Sequence, residues 1–364
     1  METNYDKTVD HFGATRIDGT VLDRLRKIAG GSLHPFLESG LFYCHKDLEP
    51  ILDCYDRGEP FYLYTGRGPS SESIHLGHLI PFQMTAYLQS IFKVPVIIQI
   101  TDDEKFLSRD LDWDRVSRFT EENIKDINCV GLDPDNTYLF RNTEYIGRLY
   151  PNILRLEKKV RLGQLLNIFG GTKSDPIGQI RFPISQMAPC FPTSFDFLDK
   201  RARCLVVAAV DQDPYFRHIR NIAHSLGEKR PSLIYSGYLP SLRGPSDPKM
   251  SSSVRNSVIF LNDSNKQIKK KINTAFSGGR ETVEEHRELG GIPEVDTAFN
   301  CLRIFHPDRE LVQRVEEEFR SGRMLSGELK KLAIQLVTKM VGTHTEARKS
   351  LEAGDRRTIH RLHH

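Results

Sequence analysis

The sequence predicts an α/β protein: a doubly wound, mostly parallel sheet in a larger domain, followed by a smaller all-α helical domain. Three observations predict it. Short apolar runs of strand character alternate with stretches of helical period up to about residue 264. Beyond that point helical spacing takes over. The 364 residues also exceed the roughly 250–300 at which single hydrophobic cores stop growing, so one large and one smaller domain follow.

The elements come in order. Residues 61–64 (FYLY) read as a strand between Gly58 and Gly66. Residues 79–93 place Leu79, Phe82, Ala86, Leu88 and Ile91 at helical spacing, with Pro81 in the first turn, where its missing N–H costs little. The near-continuous apolar run 94–100 reads as a strand covered on both faces. Strand, helix, strand over this distance is a right-handed βαβ unit. Thr120 is expected to cap a further helix, with Glu121 and Glu122 at its positive end, Ile124, Ile127 and Val130 on one face, and Gly131 at its end. Buried strands are expected at 204–210 and around 233–235, and a short one at 258–261 with no convincing strand after it. Such alternation defines a Rossmann-type sheet that binds ligand at the carboxyl ends of its strands.

After Ser264, Leu311, Val312, Val315 and Phe319 step along one helical face, and Leu329, Leu332, Leu336 and Met340 along another. The expected divisions are a packed N-terminal extension at 1–55, the sheet domain at 56–264, the helical domain at 265–350 and a tail at 351–364. Lys266, Lys269, Lys270 and Lys271, with Arg348, Lys349, Arg356, Arg357 and Arg361, read on composition alone as solvated helix faces.

The net charge of +3 leaves any nucleic-acid surface to local clustering. No apolar run approaches the ~20 residues of a membrane span, and the N-terminus has no signal-peptide core. Six cysteines without CxxC pairing or zinc spacing read as reduced thiols, so a cytoplasmic protein without a structural metal is expected.

Chemistry concentrates in two segments. Residues 64–78 (YTGRGPSSESIHLGH) put Gly66, Arg67 and Gly68 in a glycine-rich turn after a strand. There phosphate oxygens can approach backbone N–H groups without a Cβ in the way, and the next helix offers its positive end. His75 and His78 face one side of that turn and suit phosphates, although a zinc pair or two capping histidines are the plain alternatives, and small adenylyltransferases use the same turn. Residues 249–253 (KMSSS) have linker composition, yet a lysine in such a loop can be carried onto a triphosphate when the loop closes. Thr101 and Glu104 read as a capping box, Asp211 or Asp213 as a helix cap, and Gln186 alone as uninformative.

YTGRGPSSESIHLGHLIPF, VIIQITDDEKFL, AVDQDPYF, PKMSSS and AFSGGRETVEEHR together closely resemble the tryptophanyl-tRNA synthetases of the eukaryotic and archaeal type, from about Asp10 to about Lys349. The resemblance implies that Arg67, Gly68, Glu72, His75, Gly77, His78, Lys249, Met250, Ser251 and Ser252 bind ATP, with Arg67, His75, His78 and Lys249 acting on its phosphates. It implies Tyr64 and Gln99 at the indole N–H, and Glu104, Gln186 and Gln212 at the ammonium end of L-tryptophan. It further implies ATP with Mg2+, tRNA(Trp) read by the helical domain, a homodimer and no membrane association. A site built for one hydrogen-bond partner rejects the analogue lacking it by roughly 10⁴–10⁵. That suits selection against tyrosine without an editing domain. The rivals are a tyrosyl-tRNA synthetase, against which residues 99–105 argue, and a synthetase-like RNA binder without catalysis, against which the complete HLGH and KMSSS segments argue.

Overall fold

The structure, a computed structural model, describes residues 9, 13–245, 247, 250 and 254–363. Among these, eight strands form one sheet: β1 (Thr15–Arg16), β2 (Phe42–Lys46), β3 (Phe61–Arg67), β4 (Val96–Ile100), β5 (Thr137–Arg141), β6 (Arg203–Ala209), β7 (Ser232–Ser236) and β8 (His360–Leu362). Their order across the sheet is β1-β2-β7-β6-β3-β4-β5-β8. The five strands β5-β4-β3-β6-β7 run parallel. Counted from β3 they follow the order 3-2-1-4-5, the doubly wound arrangement, with its switch point between β3 and β6. β2 pairs antiparallel with β7, and β1 with β2, so residues 15–46 extend the sheet at that edge.

Side chains alternate across the sheet with period two. Leu63, Val96, Ile98, Leu205 and Val207 enter one core, whereas Tyr62, Tyr64, Ile97, Val206 and Ala208 enter the other. The two cores are therefore the two faces of the sheet. Phe299, Leu302, Phe319, Leu329 and Val337 of the helical segment join the first of them, so that segment has no separate core. Its 27-residue helix Ser326–Glu352 is packed by the helices Asn265–Asn273 and Thr297–Phe305. Among the described residues no helix is long and apolar enough to cross a membrane.

Several expectations need correction. The helix expected from Leu79 starts at Leu76, because His75 accepts N–H bonds from Gly77 (3.1 Å) and His78 (3.4 Å) and caps it. Pro81 thus stands in the second turn, where it removes a helical hydrogen bond. Thr120 is not a cap. Its helix, Trp113–Asn128, begins two turns earlier at Asp112, whose carboxylate accepts the Arg115 N–H at 2.8 Å, since Val116 and Phe119 extend the same apolar face. Residues 258–261 form no strand. They exchange two backbone bonds with residues 74–76, Leu76 N–H to Ile259 O and Leu261 N–H to Ile74 O, both 3.0 Å, and then turn at Asp263. The tail instead supplies β8, parallel to β5. Of the basic residues expected on solvated faces, Arg357 and Arg361 are exposed and pair with Asp135 and Glu121, both at 2.6 Å, whereas Lys271 is buried against Asp263.

Candidate active site

A cleft of about 400 Å³ opens at the carboxyl ends of β3, β4, β6 and β7, over the switch point. At its floor, successive parallel strands present Tyr64 and Gln99. The Tyr64 hydroxyl donates to Gln99 Oε1 at 2.5 Å, with the Gln186 carbonyl 3.0 Å away. Gln99 Nε2 donates to Asn142 Oδ1 (2.8 Å) and the Ser185 carbonyl (3.1 Å), which fixes its amide with the oxygen toward Tyr64. Asn142 Nδ2 in turn donates to Asp103 Oδ1 at 2.8 Å. Burial pushes the Tyr64 phenol well above its ordinary pKa, so it stays a neutral donor. Burial also lifts Asp103 from 3.8 to about 6, despite the opposing Asn142 bond.

Glu104, Gln186 and Gln212 line the cleft beside this pair, and Gln186 Nε2 donates to Gln212 Oε1 at 3.1 Å. The capping box expected of Thr101 and Glu104 is absent. Thr101 makes no side-chain cap; Asp103 Oδ1 takes the Glu104 N–H at 2.8 Å, leaving the Glu104 carboxylate to Lys105 (2.5 Å) and the Ser108 hydroxyl. The helix Asp213–Ala223 likewise starts from Gln212, with no side-chain cap, and not from a capping Asp211 or Asp213. Asp213 is buried and accepts from Lys46 (2.6 Å) and Tyr235 (2.8 Å).

The opposite end of the cleft is cationic. Arg67 ends β3 and is buried; its Nε donates to Asn123 Oδ1 at 2.9 Å, while Nη2 has no hydrogen-bond partner among the described residues. Desolvation lowers its pKa to about 10, opposed by Asp126 and Glu104, so it remains charged near neutrality. A Cβ on Gly68 would lie 2.5 Å from Lys105 Cε, and one on Gly77 would lie 3.1 Å from the His75 ring and 3.6 Å from Met250 Cβ. His75 and His78 stack with ring centroids 3.5 Å apart. Both line the cleft with Gly77 and Met250. Glu72 does not line it; its carboxylate is exposed, 3.8 Å from Arg118. Lys249, Ser251 and Ser252 lie outside the described residues. Among those described, no group of three or more His, Cys, Asp or Glu side chains is set to hold a metal ion.

Comparison with known proteins decides the lineage. A family model described as class I tRNA synthetases (W and Y) matches residues 56–342. The chain is 45% identical over 355 residues to the cytoplasmic tryptophan–tRNA ligase of Rattus norvegicus, spanning 96% of this chain and 74% of that one. The crystal structure of Plasmodium falciparum tryptophanyl-tRNA synthetase superposes with a TM-score of 0.90 at 44% identity, covering 95% and 94% of the two chains. The chain belongs to the tryptophanyl-tRNA synthetases. A relative from Encephalitozoon cuniculi, solved bound to tryptophan, matches with TM-score 0.90 and 41% identity over 98% of this chain and 97% of that one.

For a synthetase of this family the cleft holds more than sequence reasoning named. Asn142 and Asp103 were missed as the partners behind Gln99, and Arg109, Phe182, Asp211, Tyr215, Phe216 and Tyr238 as further lining. Position supplies the only signal for Asn142: it follows β5 directly, at the carboxyl end of a parallel strand.

Proposed function

We propose that this synthetase activates L-tryptophan with ATP and transfers it to the 3′-terminal ribose of tRNA(Trp). The observation that carries the reading is the Tyr64–Gln99 pair, buried and oriented on the neighbouring strands β3 and β4 at the floor of the cleft. Indole offers one N–H donor, and a buried phenol oxygen beside a fixed amide oxygen suits it. Tyrosine carries an O–H in place of that N–H, on a ring of different shape, so it does not present its donor where this pair accepts one. Glu104, Gln186 and Gln212 would hold the ammonium group. Arg67, Gly68, His75, Gly77, His78 and Met250, with Lys249, Ser251 and Ser252, would hold ATP; Glu72 is retained only as an outer group of that loop. The buried, unpartnered Arg67 Nη2 supports a phosphate there.

The tryptophan carboxylate attacks the α-phosphorus of ATP in line. The bond to the β-phosphate oxygen breaks, and pyrophosphate leaves as tryptophanyl-adenylate forms. No covalent enzyme intermediate is required. The residues position the reactants and stabilise phosphate charge. Mg2+ would accompany the nucleotide, held by phosphate oxygens and water, as is usual for this ion. The ribose hydroxyl, the 2′-OH by class I resemblance, then displaces AMP. Residues 265–350 would read the anticodon by splaying and stacking unpaired bases. A homodimer working in the cytoplasm completes the reading.

ATP–pyrophosphate exchange with tryptophan, tyrosine or no amino acid tests it. Exchange with tryptophan alone is expected. Exchange with tyrosine would move the substrate to the sister specificity, and none with either, on folded protein, would overturn the catalytic reading.

A further inference from the structure

Among the buried polar groups of the helix Trp113–Asn128, Asn123 and Asp126 lie one turn apart. Both reach the segment that leads into His75. Asn123 Nδ2 donates to the Ser71 carbonyl at 2.7 Å while its Oδ1 accepts Arg67 Nε. Asp126 Oδ2 accepts the Ser73 hydroxyl at 3.2 Å and the Ile74 N–H at 3.1 Å. Its other oxygen, Oδ1, faces away and accepts Arg348 Nη1 at 2.7 Å, with His344 Nε2 at 3.2 Å. Those two residues lie on the last turns of the long helix Ser326–Glu352. Arg348 also pairs with Glu122 and approaches Glu352, and Lys125 pairs with Glu122 at 2.8 Å, so these charges meet at one junction. One carboxylate thus joins the loop at 71–75 to the long helix.

We infer that Asp126 is a positioning residue that ties the loop at 71–75 to the long C-terminal helix through Arg348. The inference rests on the reading of Arg67 and His75 as the ATP side of the cleft. Each carboxylate oxygen serves a different element, so loss of the Arg348 arm leaves Oδ1 to His344 alone, without its permanent cation, and lets the carboxylate re-aim Oδ2. The shift passes to Ser73 and Ile74, and from Ile74 to Leu261 through their backbone bond. Leu261 follows the KMSSS segment by eight positions. A displacement of the long helix, which the proposed anticodon reading would involve, is therefore transmitted to both nucleotide segments and to nothing at the Tyr64–Gln99 end.

That asymmetry sets the test. The full chain is assayed by ATP–pyrophosphate exchange without tRNA, varying ATP and tryptophan separately. Arg348→Met is expected to raise the KM for ATP on the order of 5- to 10-fold, the low end of usual couplings between sites, and to leave the KM for tryptophan unchanged. Ser73→Ala combined with Arg348→Met should be no worse than the worse single variant, because both act through one carboxylate. An unchanged KM for ATP, a parallel rise in both KM values, or fully additive effects would each overturn the inference. Where Arg348→Met does not fold, Arg348→Lys decides. Reaching one oxygen without the fork, it should give an intermediate KM for ATP, and a wild-type value counts against the tie. Arg67→Lys is the control. If it raises the KM for ATP and Arg348→Met does not, the tie alone fails; if neither does, the ATP assignment fails and takes the tie with it.

Discussion

Gln99 illustrates how a single side chain is held by the chain around it. Its Nε2 is used twice, by Asn142 and the Ser185 carbonyl, so its oxygen has one orientation. Gln99→Ala removes the acceptor of the Tyr64 hydroxyl and strips both Nε2 partners of their donor. A buried group left unsatisfied costs about 1–3 kcal/mol, so the ratio of kcat/KM for tryptophan over tyrosine should fall by roughly tenfold or more. An unchanged ratio in exchange assays would remove Gln99 from the indole site. Asp103 yields a second expectation. Its pKa is raised from 3.8 to about 6, so the stability tied to its neutral form is complete below pH 3.8 and lost as pH rises through 6. Asp103→Asn keeps the neutral shape. It should match wild type near pH 3.8, gain over it between pH 4 and 6, and level off at about 1–2 kcal/mol, the partial exposure of the side chain screening the full effect. Urea unfolding at pH 4 and pH 8 checks it, and an equal difference at both would disprove it. Tyr64, Gln99, Glu104 and Gln212 were named through the motifs that carry the family resemblance, and Gln186, uninformative by itself, through that resemblance alone. Asn142 and Asp103 were not, because the partner that matters lies 43 positions from Gln99, and a polar residue at a helix start reads as a cap.

The strands located, β3, β4, β6 and β7, each read as apolar runs, whereas β2, equally buried, was missed because His45 and Lys46 interrupt its apolar character. β8 escaped because three mostly exposed residues, His360 to Leu362, carry no period and gain their pairing from β5 alone. Residues 258–261 misled in the opposite sense, since their buried apolar side chains reflect packing under the nucleotide loop and not a ladder. The helix Leu76–Phe92 shows a third case, in which one residue serves structure and chemistry together. His75 Nδ1 accepts two N–H bonds as the N-cap, so the ring is held in the tautomer that leaves Nδ1 bare. Asparagine can cap in the same way, and alanine cannot. His75→Asn should therefore unfold within a few tenths of a kcal/mol of wild type, and His75→Ala about 1 kcal/mol earlier. Both should slow adenylate formation if the ring handles phosphate. Full activity in His75→Asn would reduce His75 to a cap.

The sheet and the elements packed on it reach the cleft from several sides, and this has a consequence for association. The helix Asn142–Glu157 starts with the residue that orients Gln99, and its outward face carries Tyr150 and Leu154, one turn apart and 48% and 47% exposed. Single exposed apolar side chains are ordinary, but a pair of this size on one helix face suits the centre of an interface. A stable two-fold contact needs about 800 Å² per partner, so the surroundings of the pair must contribute as well. Covering this helix would restrain the element that holds Asn142, and dimerisation would then reach tryptophan binding through Gln99. Light scattering should give a mass near twice 41.7 kDa at micromolar concentration. Leu154→Asp, which alters no residue of the cleft, should return the mass to that of one chain and raise the KM for tryptophan more than that for ATP. A wild-type monomer would remove the homodimer. A variant that dissociates while keeping the wild-type KM for tryptophan would leave the dimer intact as a reading and cut its connection to the indole site.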